Sequence, residues 1–230
     1  MRHPTERGIA ACALAALAMG LLAGCGESAR TMGDPGPALA YVAYDSPDAV
    51  IANLERCWEG LDLAEYRDSV LYDGTNLCSD GRVHEPYGFW YDQSDDPELP
   101  DCDTYDLEIQ RAAWLLSGLP SDSLPGVKSI DLSFSPFGDW EPAADCDDCP
   151  PDAVRREYLV EGVLTFKEAT DDGELSWAFS SRGLMTCAPT VAYGGPHWRL
   201  LRWGDFAIPG SAQPTWGQMK ALYPIPPKKL

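Results

Sequence analysis

The chain has 230 residues, with 17 Lys or Arg against 36 Asp or Glu, so its formal net charge is −19. A surface this acidic repels nucleic acid and anionic lipid headgroups, which argues against both as partners. It would favour cations or basic partner surfaces, but solubility alone explains the charge and is the preferred interpretation. The sequence has no Gly-x-Ser-x-Gly motif and no Gly-rich phosphate loop, which argues against a serine hydrolase and against nucleotide binding.

Residues 1–24 have the pattern of a bacterial lipoprotein signal peptide. Arg2 and Arg7 form a basic start, and the apolar run 9–22 is shorter than the about 20 residues that span a bilayer. The run ends in Leu22-Ala23-Gly24-Cys25, which resembles a lipobox, so we expect cleavage before Cys25 and acylation of its thiol. An ordinary secretory signal is the alternative interpretation.

Lipidation at Cys25 predicts a membrane-anchored protein of the bacterial cell envelope. Because Gly26 rather than Asp follows, the inner-membrane retention signal is missing, and we expect the outer membrane, with the domain facing the periplasm or the cell surface. Residues 25–45, rich in Gly, Pro, Ala and Ser, are predicted to form a flexible tether. A domain is predicted over 46–207, and 208–230 is predicted to be a Pro-rich tail that packs loosely or extends, apart from a helical turn near 218–220.

Three helices are predicted in the first half of the domain. Ser46-Pro47-Asp48 is typical of a helix start, and apolar residues at helical spacing follow as far as Gly60. A second helix is expected to begin at Asp62, with Glu65 in capping-box spacing, and a third is expected from residue 103 or 104 to Gly118.

Strands are predicted mainly in the second half. Polar and apolar residues alternate over 130–135, 158–167, 175–180 and 198–203, the pattern of half-buried antiparallel strands, and 87–91 is a further short candidate. The acidic segment 138–152 is predicted to be a loop. Helices before strands, without strand–helix alternation, indicate an α+β fold.

Two stretches resemble a known fold family. Residues 46–56 with 61–66, and the closing 198–205 (Trp-Arg-Leu-Leu-Arg-Trp-Gly-Asp), are similar to the first helices and last strand of nuclear transport factor 2-like domains, which include SnoaL-like proteins. The resemblance implies a cone-shaped curved antiparallel sheet wrapped around N-terminal helices, a cystatin-like arrangement. It also implies a homodimer through the sheet face. The fold hosts enzymes, binding proteins and scaffolds, so it assigns no activity.

Six cysteines follow the lipobox, and an even number in an exported chain predicts disulfides, with 15 pairings open. They are Cys57, Cys78, Cys102, Cys146, Cys149 and Cys187. Cys146 and Cys149 have redox spacing, but neighbouring aspartates disfavour a thiolate, so a structural disulfide is the preferred interpretation. Zinc ligation is weakly supported because His84 and His197 are the histidines beyond the leader, and no metal is expected.

A pocket inside the cone is one interpretation of the aromatic residues, and a packed core is the other. The candidate lining residues are Tyr66, Trp90, Trp114, Trp177, Phe179 and His197. His197 could act there as an acid or base, or could be an exposed strand start. We therefore expect a non-catalytic binding or scaffold domain without a cofactor, whose partner is an envelope protein or a small ligand. The alternative is an isomerase, dehydratase or cyclase with a pocket in the cone.

Overall fold

The computed structural model describes residues 40–94, 97–120, 124–170, 173–192 and 195–223. The predicted signal peptide, Cys25 and the predicted tether as far as residue 39 lie outside the described residues. Within the described part, no helix is long and apolar enough to cross a membrane.

Helix α1 (Pro47–Glu59) is capped as its sequence predicts. The Ser46 hydroxyl accepts a hydrogen bond from the Ala49 amide (3.2 Å), and the Gly60 amide donates to Arg56 O (2.8 Å). The next helix also starts as predicted, because the Asp62 carboxylate accepts from the Glu65 amide. After the short α2 (Leu63–Glu65), however, the chain continues as a π-helical turn over Tyr66–Val70.

Strand β1 (Gly88–Tyr91), strand β2 (Cys102–Thr104) and helix α3 (Tyr105–Ser117) follow. Helix α3 has the predicted bounds, and Gly118 ends it with φ 62°, a left-handed conformation that glycine adopts without strain. Strand β2 was not predicted, because three residues are too few to show an alternating pattern.

The remaining strands are β3 (Val127–Pro142), β4 (Val154–Thr170), β5 (Gly173–Ala192) and β6 (Gly195–Phe206). The six strands form one curved sheet in the order β2-β1-β6-β5-β4-β3, antiparallel except where β1 pairs with β6. The predicted α+β fold class is therefore confirmed. On β4, alternate residues from Tyr158 to Phe166 are buried as their pattern predicts.

All four long strands extend beyond their predicted ends, and β3 and β5 extend furthest. Strand β3 continues to Pro142, so the loop predicted over 138–152 is confined to 143–153. Strand β5, predicted over 175–180, continues to Ala192. Its second half is covered on both faces, since Met185, Cys187 and Ala188 are all fully buried, and a strand buried on both faces loses the alternation that reveals it.

The C-terminal segment is part of the core rather than a loose tail. Helix α4 (Trp216–Ala221) contains the predicted turn, and Trp216, Met219, Lys220 and Tyr223 are at most 1% exposed. The Trp216 ring centroid lies 5.0 Å from that of Trp58 and 4.9 Å from that of Phe179. The expectation of loose packing was wrong because the buried residues are separated by turns and show no repeating period.

The end of the predicted tether is also bound to the domain. The Val42 amide donates to Asn53 Oδ1 (2.9 Å), and Asn53 Nδ2 donates back to Val42 O (2.8 Å). The Tyr44 hydroxyl donates to Glu65. Residues 42–44 therefore lie against the first helices, and any free tether ends before them.

Candidate ligand-binding cleft

The structure separates the six aromatic and histidine residues predicted to line a pocket. Tyr66 and Phe179 are fully buried in the core, where large side chains such as Trp58 and Trp203 fill the inside of the cone. Trp114 is half-buried against this core. Trp90, half-buried on β1, stacks under the Arg202 guanidinium at 5.0 Å. Trp177 alone of the six lines the cleft described below.

His197 has a packing role. Its ring stacks on that of Tyr44, with centroids 4.5 Å apart, and Nε2 lies 3.2 Å from Ser69 O. Partial burial lowers the pKa of His197 below its usual value, which favours the neutral ring at neutral pH. These contacts fasten the segment before α1 and do not place the imidazole in a cavity.

An open cleft of about 1010 Å³ lies between α3, α4 and β5. Its walls are mostly apolar, formed by Leu99, Trp177, Met219 and Leu222. The polar groups that reach it are Arg111 from α3, Ser176 from β5, Gln218 from α4 and Glu98. Apolar walls with a few polar groups are typical of sites for small ligands, so this cleft is the candidate site.

The cleft follows an open edge of β5. Strand β6 pairs with β5 from Arg182 onwards, so residues 174–181 have a partner strand, β4, on one side. On the other side the Ser180 amide donates to Pro214 O (3.0 Å). Alternate residues of a strand direct their backbone groups to the same side. Ser176 and Ala178 therefore direct N–H and C=O away from β4, into the cleft that they line.

Arg111 is held in place by two neighbours. Its Nε lies 2.7 Å from Asp103 Oδ2 without pointing at it, so the contact is an ion pair rather than a hydrogen bond. Its Nη1 donates to Tyr223 O (3.1 Å), and the Tyr91 hydroxyl donates to the same Asp103 carboxylate. Within the described residues these contacts leave Nη2 as the guanidinium donor that can reach a ligand.

Behind the cleft lies a second buried ion pair, Glu108–Lys220. The two side chains are 0% and 1% exposed, and Lys220 Nζ donates to Glu108 Oε2. The Tyr66 hydroxyl donates to the other carboxylate oxygen (2.7 Å), and Nζ lies 3.4 Å from the Phe89 ring centroid. Burial lowers the pKa of Lys220, although the Glu108 carboxylate favours the charged form. Each charge has partners here, so the pair stabilises the packing of α4.

Asp205 has the raised pKa that acid–base chemistry would require. Burial raises it, and hydrogen bonds from the Ser181 hydroxyl and the Gly217 amide, both 2.6 Å, oppose the rise. The side chain is 0% exposed. Both oxygens are occupied and no solvent reaches them, so Asp205 cannot meet a substrate in this conformation.

The cysteines pair once among the described residues. Cys146 and Cys149 form a disulfide, whereas Cys57, Cys78, Cys102 and Cys187 are free thiols, so the expectation that all six are paired is corrected. The free thiols lie on separate elements, and all but Cys102 are buried as small apolar side chains. Burial raises the pKa of Cys57 to about 12 and raises that of Cys187, which disfavours reactive thiolates.

The described residues contain no cluster of three or more His, Cys, Asp or Glu that could hold a metal ion. His84 instead contacts Asp148 O (3.1 Å) and Asp80 Oδ2 (3.0 Å), which ties it to the disulfide loop.

Sequence reasoning missed Arg111, Ala178 and Met219. Of these three residues, Arg111 alone could have been recognised from the sequence, because it is a cation on the apolar side of α3, four residues before Leu115. A charged residue at such a position must find a partner or a solvent-filled space. The cleft itself is formed by segments far apart in sequence, which no local pattern reports.

No family model and no curated protein matches this sequence. Among solved structures, the chain is similar to a proposed aromatic ring hydroxylase from Novosphingobium aromaticivorans, at 10% identity and a TM-score of 0.42, over 70% of this chain and 87% of that one. It is also similar to the β subunit of a proposed aromatic-ring-hydroxylating dioxygenase from the same organism, at 13% identity and a TM-score of 0.38, over 70% and 86% of the chains. These similarities concern the path of the chain and carry no argument about function.

Proposed function

We propose that this protein is a non-catalytic, lipid-anchored binding protein of the bacterial cell envelope, and that its cleft takes an apolar ligand with an acidic group. The observation that carries the proposal is the combination of apolar walls with one positioned guanidinium, that of Arg111. Apolar contact provides affinity of about 25 cal/mol per Å² removed from water. Arginine suits carboxylates because its planar donors match their geometry.

The envelope location is supported by the basic start, the apolar run and the lipobox-like residues before Cys25. Replacing Cys25 with Ser removes the thiol that would be acylated. In bacteria fed a palmitate label, Cys25→Ser is expected to abolish labelling and to release the protein from the membrane fraction. Cys12→Ser, inside the leader, is the matched control and should leave both unchanged. Undiminished labelling of Cys25→Ser would contradict the anchor.

An enzyme of the isomerase, dehydratase or cyclase kind is the second candidate, favoured by the raised pKa of Asp205. Catalysis requires that group to reach a substrate proton, within about 3 Å or through one water. Asp205 is fully buried and bonded to Ser181 and Gly217, so its position supports binding in preference to catalysis.

Ligand binding can be tested with a pair of fluorescent probes on the unit from Leu39 to Leu230. Anilinonaphthalene sulfonate is apolar and anionic, and N-phenylnaphthylamine is its neutral counterpart. Both are expected to bind the cleft, and the anion more tightly, by about tenfold, if its sulfonate contacts Arg111, since hydrogen bonds between charged groups contribute about 1.5–3 kcal/mol. Fluorescence titration measures both affinities.

A cleft-filling substitution shows where the probes bind. Ala178 is exposed in the cleft, so Ala178→Trp should reduce binding of both probes at least tenfold. Ser135→Trp places the same side chain on an exposed position of β3 and is expected to leave binding unchanged. Equal probe binding by the two variants would contradict the proposed function. Failure of the unsubstituted chain to bind either probe would contradict it as well.

A further inference from the structure

We propose that the acidic ligand is a peptide in extended conformation, which pairs with the open edge of β5 and places its C-terminal carboxylate on Arg111. This inference rests on the proposed function and specifies the class of ligand. Three observations carry it: the edge of β5 that has no partner strand among the described residues, the shape and lining of the cleft, and the position of the guanidinium.

The first observation is the direction of the backbone groups. The hydrogen bond from the Ser180 amide to Pro214 O shows which side of β5 faces away from β4. Ser176 and Ala178 have the same orientation, and both line the cleft. Together they present two N–H donors and two C=O acceptors, spaced as in a sheet. A peptide strand complements this row, which is how peptides add to exposed sheet edges.

A hydrocarbon or aromatic acid would fit the same edge poorly. It would remove water from the backbone groups of Ser176 and Ala178 without replacing the hydrogen bonds, and an unsatisfied buried polar group is costly. A peptide supplies both donors and acceptors. The edge is also open to such a partner, because the side chains at these two positions are small and no proline interrupts 174–181.

The remaining walls suit alternate side chains of an extended peptide. At about 3.3 Å per residue, a segment of three or four residues covers the edge from 176 to 178. Trp177, Leu99 and Met219 offer apolar surface to the side chains on one face. The volume of about 1010 Å³ is at the upper end for a small ligand and accommodates such a segment.

Arg111 specifies a free carboxyl end. Its fixed position beside Asp103 and Tyr223 keeps the guanidinium at the cleft wall without further ordering on binding. A terminal carboxylate accepts from Nη2 in a charge-assisted hydrogen bond, whereas a terminal amide can offer its carbonyl oxygen alone, without the negative charge. A peptide bound internally, without its end in the cleft, would leave this donor unused.

The test uses the full-length chain in lipid nanodiscs and the fluorescent peptide dansyl-Val-Leu-Val-Phe with a free carboxyl end. Three derivatives are compared by fluorescence anisotropy. The first derivative has a C-terminal amide. The second is N-methylated at the first and third residues of the peptide, and the third at the second and fourth residues. Nanodiscs that contain the Ala178→Trp variant measure how much peptide binds outside the cleft, to lipid or non-specifically, and this amount is subtracted.

We expect the C-terminal amide to weaken binding about tenfold or more, because a charge-assisted contact is lost. One N-methylated peptide should lose binding by a similar factor, since its methyl groups replace the N–H groups that face β5. The other should bind within about twofold of the parent, because its methyl groups point away from the strand.

Equal effects of the two N-methylation patterns, or equal binding of acid and amide, would overturn the inference. Failure of every peptide while the anionic naphthalene probe still binds would also overturn it, but would leave the proposed function intact. Failure of the naphthalene probe as well would overturn both. The peptides change no protein residue, so misfolding of a variant cannot produce the expected pattern.

Discussion

A chain truncated after Ala207 is expected to lose its native fold. The deletion removes Trp216, Met219 and Tyr223, which are buried against the sheet, together with the partner of Glu108. Losing one large core side chain costs about 3–5 kcal/mol, and a domain is stable by about 5–15 kcal/mol in total. Losing the whole segment therefore exceeds what the rest of the core can offset. Near-ultraviolet circular dichroism and urea unfolding measure the outcome.

Two further variants serve as controls for this prediction. Truncation after Tyr223 keeps every described contact of α4 and should retain a cooperative urea transition. Trp216→Ala should retain the fold but lower the free energy of unfolding by about 3–5 kcal/mol, because it opens a cavity beside Trp58 and Phe179. A cooperative, near-native transition in the chain that ends at Ala207 would show that α4 is dispensable.

Lys220→Met is expected to lower the free energy of unfolding by about 3–5 kcal/mol, although methionine fills a similar volume. The substitution leaves the Glu108 carboxylate buried with the Tyr66 hydroxyl as its remaining partner. An uncompensated buried charge is costly, because the carboxylate loses its cationic partner without regaining water. Urea unfolding at neutral pH measures the loss.

The matched control is Lys128→Met, which removes the exposed ion pair with Glu174. That change should alter the unfolding free energy by less than about 1 kcal/mol, because water screens exposed pairs. The double variant Glu108→Gln/Lys220→Met should recover part of the stability lost in Lys220→Met. If Lys220→Met and Lys128→Met cost the same, the buried pair does not contribute as the structure indicates.

The features that the sequence predicted correctly are local ones. The bounds of α1 and α3 depend on caps and glycines within a few residues, namely Ser46, Gly60 and Gly118. The buried face of β4 is equally local, since Tyr158, Val160, Leu164 and Phe166 recur at every second position of one strand. In each case the physical cause acts within one turn or one strand, so residues close together in the sequence are enough to predict the feature.

The features that the sequence did not reveal depend on contacts between distant segments. The second half of β5 is covered on both faces, which removes its alternation. Helix α4 is too short to show a period, yet its Trp216 packs against Trp58 of α1, near the start of the domain in sequence. The cleft combines α3, α4 and an edge of β5, so Arg111 is recognisable as a site residue only once these are placed together.

The position of α4 has a consequence for how the chain matures. Trp58 near the start of the domain and Trp216 near its end share one part of the core, so the native state requires contacts between residues made early and late in synthesis. Contacts so distant in sequence close slowly. A chain whose last helix is still in the ribosome lacks these contacts, so this part of the core cannot close until α4 emerges. Maturation of the domain is thereby coupled to the completion of its own synthesis.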